Sequence, residues 1–197
     1  MKKGTNMKVL AINGSARKDG NTSLLIKKVF EELENEGIKT EMISLAGKKL
    51  PGCIACYKCF ENKNKRCGVT NDDMNSVIEK MIEADAIIFA SPTYFADCTA
   101  SMKAVIERAG FVSGANQRMF RLKPAAAVVA VRRGGAIHAF DTMNHFFTIS
   151  EMITVGSTYW NVGIGREAGE VENDVEGMNT MSNLGKNMAW LLKKIHA

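Results

Sequence analysis

Four cysteines crowd into one short stretch, Cys53, Cys56, Cys59 and Cys67. Thiolates two residues apart can converge on one small inorganic centre, and three cysteines at such intervals have the ligand spacing of a cubane [4Fe-4S] site. The bacterial version of that pattern ends in proline, where Gly68 stands here. The match is therefore to ligand spacing and not to a whole electron-carrier domain. Structural zinc sites more often use two separated pairs, so zinc is the alternative occupant and reversibly oxidised thiols a third. A disulfide framework does not suit the cytoplasmic protein of this size that is expected here. The remaining cysteine, Cys98, reads as a packed or loop thiol. Air would strip a cluster from such a site, so the isolated protein can lack it.

A second chemistry-bearing stretch is Gly14-Ser15-Ala16-Arg17-Lys18-Asp19-Gly20-Asn21-Thr22-Ser23, which combines glycines, hydroxyls and cations. Backbone N–H groups at a helix N-terminus, side chains of Ser15, Asn21, Thr22 and Ser23, and the charge of Arg17 together suit a phosphate. The stretch has neither a Gly-x-Gly-x-x-Gly dinucleotide loop nor a Gly-Lys-Ser/Thr triphosphate loop. A monophosphate such as that of FMN fits it better. The bland alternative is an ordinary strand-to-helix turn capped by Asn21 or Thr22.

These stretches must be held by an alternation of strands and helices, which predicts parallel βαβ units. Val9 to Asn13 is a continuous apolar run, as expected of a strand buried on both faces. Leu25, Val29 and Leu33 give an amphipathic helix over 22–36, followed by a strand over 38–45. Asn71-Asp72-Asp73 offers an N-cap to a helix carrying Met74, Val77, Ile78, Met81 and Ile82 on one face. Residues 86–90 predict a third strand that breaks at Ser91-Pro92, and residues 99–108 a helix, with 109–123 irregular. Then follow a strand over 125–131, a helix over 137–150, a strand over 153–159 and a closing helix over 176–196, buried through Leu184, Met188, Leu191, Leu192 and Ile195. The expectation is one domain spanning 1–197, with a cysteine-rich insertion at 46–73. Its fold class is α/β, a flavodoxin-like three-layer sandwich around a five-stranded parallel sheet of order 2-1-3-4-5.

In such sheets ligands bind beyond the carboxyl ends of the strands where the order reverses. That brings Pro92, Thr93, Tyr94 and Phe95 beside the phosphate loop, offering polar groups and aromatic surface to an isoalloxazine ring. Arg132, Arg133, Gly134 and Gly135 end the fourth strand; the glycines allow close approach, and the arginines can stabilise a reduced flavin. A response-regulator receiver shares the topology but needs acidic residues where Asn13-Gly14-Ser15 stands. No Gly-x-Ser-x-Gly elbow is present and no nucleophile accompanies His138, His145 or His196, which argues against hydrolysis. No catalytic acid or base is required when the chemistry belongs to a flavin.

Composition agrees with this. The 197 residues are 46% hydrophobic and 24% charged, enough for one sizeable core. The net charge of +5 is spread along the chain, which disfavours nucleic acid. Lys58, Lys63, Lys65 and Arg66 form a local basic excess, read as a solvated loop or a docking patch for an acidic electron-transfer partner. Met1 to Gly4 do not open a signal peptide, and no apolar run approaches the roughly 20 residues of a membrane span. A soluble, cytoplasmic protein without membrane partners is expected.

The chain resembles the iron-sulfur flavoprotein family, within the NADPH-dependent FMN reductase and flavodoxin-like group. The resemblance runs nearly end to end and rests on six stretches: residues 13–18, the cysteine motif, Asn71-Asp72-Asp73-Met74, Ser91-Pro92-Thr93-Tyr94-Phe95, Met102-Lys103-Ala104 and Glu176-Gly177-Met178. It implies FMN held by the three loops, a [4Fe-4S] cluster on the four cysteines, and a homodimer or homotetramer that brings cluster and flavin of different subunits together. It further implies electrons delivered by a ferredoxin-like protein, with direct NAD(P)H oxidation as the rival, and a small-molecule acceptor. Ala16 replaces a proline often found there, and the last cysteine spacing is at the long end of the family's range. A cluster-free NAD(P)H-dependent FMN or quinone reductase and a zinc- or thiol-regulated binding module are the competing readings.

Overall fold

A computed structural model describes residues 7–197, so the reading of Met1 to Gly4 lies outside the described residues. Strands β1 (Lys8–Asn13), β2 (Lys39–Ser44), β3 (Ala86–Pro92), β4 (Pro124–Val131), β5 (Ile153–Thr154) and β6 (Val162–Ile164) form one sheet. Its order is 2-1-3-4-5 and every pairing is parallel, with β6 on the same edge of β4 as β5. The helices are α1 (Asn21–Asn35), α2 (Lys58–Asn62), α3 (Met74–Glu83), α4 (Ala100–Ala115), α5 (Ala136–Ile149) and α6 (Val175–Ile195).

The apolar runs of the central strands divide by parity, because successive side chains of a strand point to opposite faces. Leu10, Ile12, Ile87 and Phe89 face one layer, with Met81 of α3, Val105 of α4 and Phe147 of α5. Val9, Ala11, Ile88 and Val128 face the other, with Leu25 and Val29 of α1 and Leu184 and Met188 of α6. Both faces are covered, which is why these strands carry no polar alternation. The result is the flavodoxin-like three-layer sandwich that the alternation predicts.

Several boundaries differ from expectation. β3 does not break at Ser91-Pro92: both residues keep register with Val129 and Ala130 of β4, and the next N–H, that of Thr93, donates to Ala130 O at 2.9 Å. α4 continues through Ala115, so half of the supposedly irregular 109–123 is helical. Ala109 and Val112 extend the buried stripe of Met102 and Val105, a continuation obscured by the helix-weakening Gly110 and Gly114. The strand expected over 153–159 is split. The chain leaves the sheet after β5, exposes Tyr159 and Trp160, and returns as β6. Buried Asn161 bridges the gap, its Nδ2 donating to Ala127 O at 3.0 Å. In α6, Leu184, Met188 and Leu192 are buried, whereas Leu191 is only partly covered and Ile195 is half exposed. Among the described residues, no helix is long and apolar enough to cross a membrane.

Candidate redox site

The strand order reverses between β1 and β3, and the loops after β1, β3 and β4 open at their carboxyl ends. Asn13, fully buried at the end of β1, organises the first loop. Its Nδ2 donates to Ser23 Oγ at 2.8 Å, and its Oδ1 accepts the Ser15 N–H at 2.9 Å. Ser23 Oγ donates onward to Lys18 O at 2.5 Å, and Ser15 Oγ accepts the Arg17 N–H at 3.1 Å. Gly14 is pinned between elements by its N–H to Ala90 O at 2.7 Å; a Cβ there would lie 2.9 Å from Thr99 Oγ1. No side chain caps the first turn of α1, so its positive end stays open to the cavity beside it.

That cavity, about 250 Å³, brings together Ser15, Arg17, Asn21 and Thr22 of the first loop, Pro92, Thr93 and Tyr94 of the second, and Arg132 of the third. Thr93 contributes a buried hydroxyl oxygen with no hydrogen-bond partner in the protein. Ser23, Phe95, Arg133, Gly134 and Gly135 do not line it. Ser23 is occupied in holding the loop. Phe95 stands fully exposed at the tip of a tight turn closed by reciprocal bonds between Tyr94 and Asp97, 2.9 and 3.0 Å. Phe95 and Ala96 both have positive φ, 48° and 61°, which non-glycine residues rarely adopt. Gly135, at φ 84°, caps α5 against Ala96. Gly165 and Arg166, after β6, also line the cavity and were not among the expected residues. The split of the last strand hid them, although Gly165-Arg166 directly after Val162-Gly163-Ile164 repeats the glycine-plus-cation character of the other loops.

The four sequence-predicted cysteines line a second, smaller cavity beside α4, walled also by Tyr57, Arg108 and Phe111. Ala55, Tyr57, Lys63 and Lys65 take positive φ, so the segment curls in left-handed steps around it. Such backbone persists only where its surroundings fix it. Glu107 Oε2 accepts the Cys53 N–H at 3.1 Å, Asn75 Oδ1 the Cys67 N–H at 2.8 Å, and Asn116 Oδ1 the Lys65 N–H at 2.9 Å. Arg108, 1% exposed, forms an ion pair with Asp72 at 2.6 Å and donates to Cys67 Sγ. Asp73 takes the N-cap position of α3 within the expected Asn71-Asp72-Asp73 stretch but makes no side-chain capping bond; Asp72 Oδ1 instead accepts the Met74 N–H at 3.0 Å. Burial pushes the Cys59 thiol up, and the nearby Cys67 and Cys53 push it further. Burial pushes Cys98 up to about 12, with Asp97 adding to the shift. No group of three or more His, Cys, Asp or Glu among the described residues closes around a single ion. None of Glu107, Arg108, Asn75 or Asn116 was singled out in the sequence.

Comparison with known proteins agrees with this layout. Residues 7–167 match the profile of the family described as NADPH-dependent FMN reductase. An iron-sulfur flavoprotein of Methanocaldococcus jannaschii is 39% identical over 96% of this chain and 99% of that protein. Another, of Methanosarcina thermophila, is 31% identical over 96% of this chain and 97% of that protein. Among solved structures, RosB with a bound riboflavin-phosphate intermediate superposes with a TM-score of 0.76 at 21% identity, covering 96% of this chain and 80% of that one. An NAD(P)H:quinone oxidoreductase from Methanothermobacter marburgensis gives 0.68 at 13% identity, covering 93% and 98%. These two share the fold, and the sequence matches fix the lineage: the chain belongs to the NADPH-dependent FMN reductase family of FMN-dependent oxidoreductases.

Proposed function

We propose that this oxidoreductase is an iron-sulfur flavoprotein, with FMN at the strand-order reversal and a [4Fe-4S] cluster on Cys53, Cys56, Cys59 and Cys67. The observation that carries the cluster is the convergence of all four cysteines on one cavity. A donor set of four thiols without imidazole or carboxylate suits iron and sulfide, and a cluster spans sulfurs too far apart to share one ion. For FMN, the support is an anion-ready cavity with Arg17, Arg132 and Arg166 and the unpartnered Thr93 hydroxyl. The open end of α1 and the arginines receive the phosphate, while Thr93 and Tyr94 sit where the ring system must be oriented.

When bound, the two groups supply the coupling of one-electron and two-electron transfer. The protein's own part is to bind, orient and set charge. A ferredoxin-like protein is the proposed donor, approached through the exposed lysines of the cysteine segment; NAD(P)H is the alternative and a small molecule the acceptor. Phe111 walls both the cysteine cavity and a largely apolar groove of about 590 Å³ between α4 and α5, which Phe60 also lines. A second copy of the chain docked in that groove would cover the mouth of the cysteine cavity, the arrangement we assign to a homodimer.

An anaerobic absorption spectrum of freshly purified protein, with iron and FMN quantified, tests the reading. Flavin bands over broad thiolate-to-iron absorption, with about four irons per chain, are expected. Flavin without iron after anaerobic reconstitution would leave an FMN reductase whose cysteines serve another purpose, and stoichiometric zinc without flavin would remove the reading altogether.

A further inference from the structure

Arg108 is a charged side chain buried beside the cysteine cavity together with its partner Asp72, and its hydrogen bonds are distributed unusually. Asp72 takes Nη1 at 2.6 Å and Nη2 at 3.2 Å, which neutralises the charge in a bidentate pair. Pro51 O at 3.3 Å and Val69 O at 3.2 Å accept from the same guanidinium, so one side chain ties the start of the cysteine segment to its end. Two further contacts go to a sulfur: Nε and Nη2 lie 3.4 and 3.2 Å from Cys67 Sγ. The ion pair and the two carbonyls already brace the segment. The sulfur contacts add nothing that bracing requires.

We propose that Arg108 is a positioning residue that sets the reduction potential of the cluster through Cys67. The inference rests on the cluster reading above. Reduction adds one electron to the cluster, and part of that charge resides on the ligand sulfurs. A guanidinium donating two N–H groups to one sulfur stabilises the reduced form more than the oxidised form and so raises the potential. Arginine suits this role because it stays charged and presents its donors in a fixed planar fork, which a lysine ammonium cannot reproduce.

The test uses the full chain, reconstituted anaerobically with iron, sulfide and FMN. Iron and FMN are counted, and the cluster potential is read by mediator titration with dithionite and electron paramagnetic resonance. Arg108→Lys keeps a charge and loses the fork. The double variant Arg108→Met/Asp72→Leu removes the whole ion pair and leaves no unpaired buried charge to unfold the protein. Both are expected to retain iron and to be about tenfold harder to reduce, which for one electron is about 59 mV more negative. Potentials equal to wild type in both variants would overturn the inference. So would loss of iron from both with FMN retained, which would make Arg108 a brace only. Wild-type protein that binds FMN but no iron would instead defeat the cluster reading, and this inference with it.

Discussion

Asn21 holds Gly169 against the start of α1: its Oδ1 accepts the Gly169 N–H at 2.9 Å while its Nδ2 donates to Glu167 O at 2.9 Å. Both ends of one carboxamide thus clamp the segment that carries Gly165 and Arg166 to the cavity. A Cβ on Gly165 would lie 2.8 Å from that same Nδ2 and 2.6 Å from the Val171 nitrogen, so the fit leaves no slack. Asn21→Ala removes the clamp and withdraws Arg166. FMN affinity should fall about tenfold, about 1.4 kcal/mol. Titration of the apoprotein by flavin fluorescence reads it, and an unchanged affinity would show that the segment after β6 takes no part in flavin binding.

Thr93 makes the complementary case. Its hydroxyl oxygen is buried and without a partner in the protein, a cost the free protein bears and a bound ligand relieves. Thr93→Val keeps the shape and deletes the hydroxyl. The flavin-free protein should then be as stable as wild type or more so by about 1 kcal/mol, while FMN binds about fivefold to tenfold more weakly. Urea denaturation of the apoprotein alongside flavin titration separates the two effects. A loss of stability in the free protein would mean that the hydroxyl has a structural partner.

The fold was legible in the sequence because its central strands are buried on both faces, which leaves unbroken apolar runs such as Val9 to Ile12 and Ala125 to Val131. The two sites were legible as local stretches, the cysteines by spacing and the β1 loop by its glycines, hydroxyls and cations. What fixes their geometry was not. Arg108 lies 41 residues from Cys67, and Asn21 lies 148 residues from Gly169, so neither pairing leaves a periodic trace. The last strand misled for a related reason: residues 153–159 read as one strand, and only the packing of Asn161 on β4 reveals where the chain departs and returns. Asn21 and Ser23 were expected to contact a phosphate, yet their side chains are engaged in holding loops in place.

Cys98 should behave unlike the other cysteines. Burial and the neighbouring Asp97 carboxylate push its thiol up to about 12, so almost none is thiolate at pH 8. Cys56, by contrast, is exposed. In cluster-free protein, alkylation at pH 8 followed by mass spectrometry should label Cys56 readily and leave Cys98 unmodified until denaturant is added. Early labelling of Cys98 would show that the turn at Tyr94 to Asp97 opens in solution.

Asp97 also gives the turn a pH dependence. Burial pushes its carboxyl up, but bonds from the Thr142 hydroxyl, the Cys98 N–H at 2.7 Å and the Cys98 thiol, with the charge of His138, outweigh that and hold it below the ordinary 3.8. The unfolded chain therefore takes up this proton more readily than the folded one. Stability from Asp97 is fully present above pH 3.8 and drains away as pH falls through the folded-state value. Asp97→Asn should lower stability at pH 7 by about 1 kcal/mol and flatten the acid branch below about pH 4. Comparing variant and wild type as cofactor-free proteins removes any contribution from acid release of iron or flavin. Because Asp72 and the other carboxylates titrate alike in both, the difference between the two denaturation curves isolates Asp97. Parallel acid branches would mean that its carboxylate makes no net contribution to holding the turn.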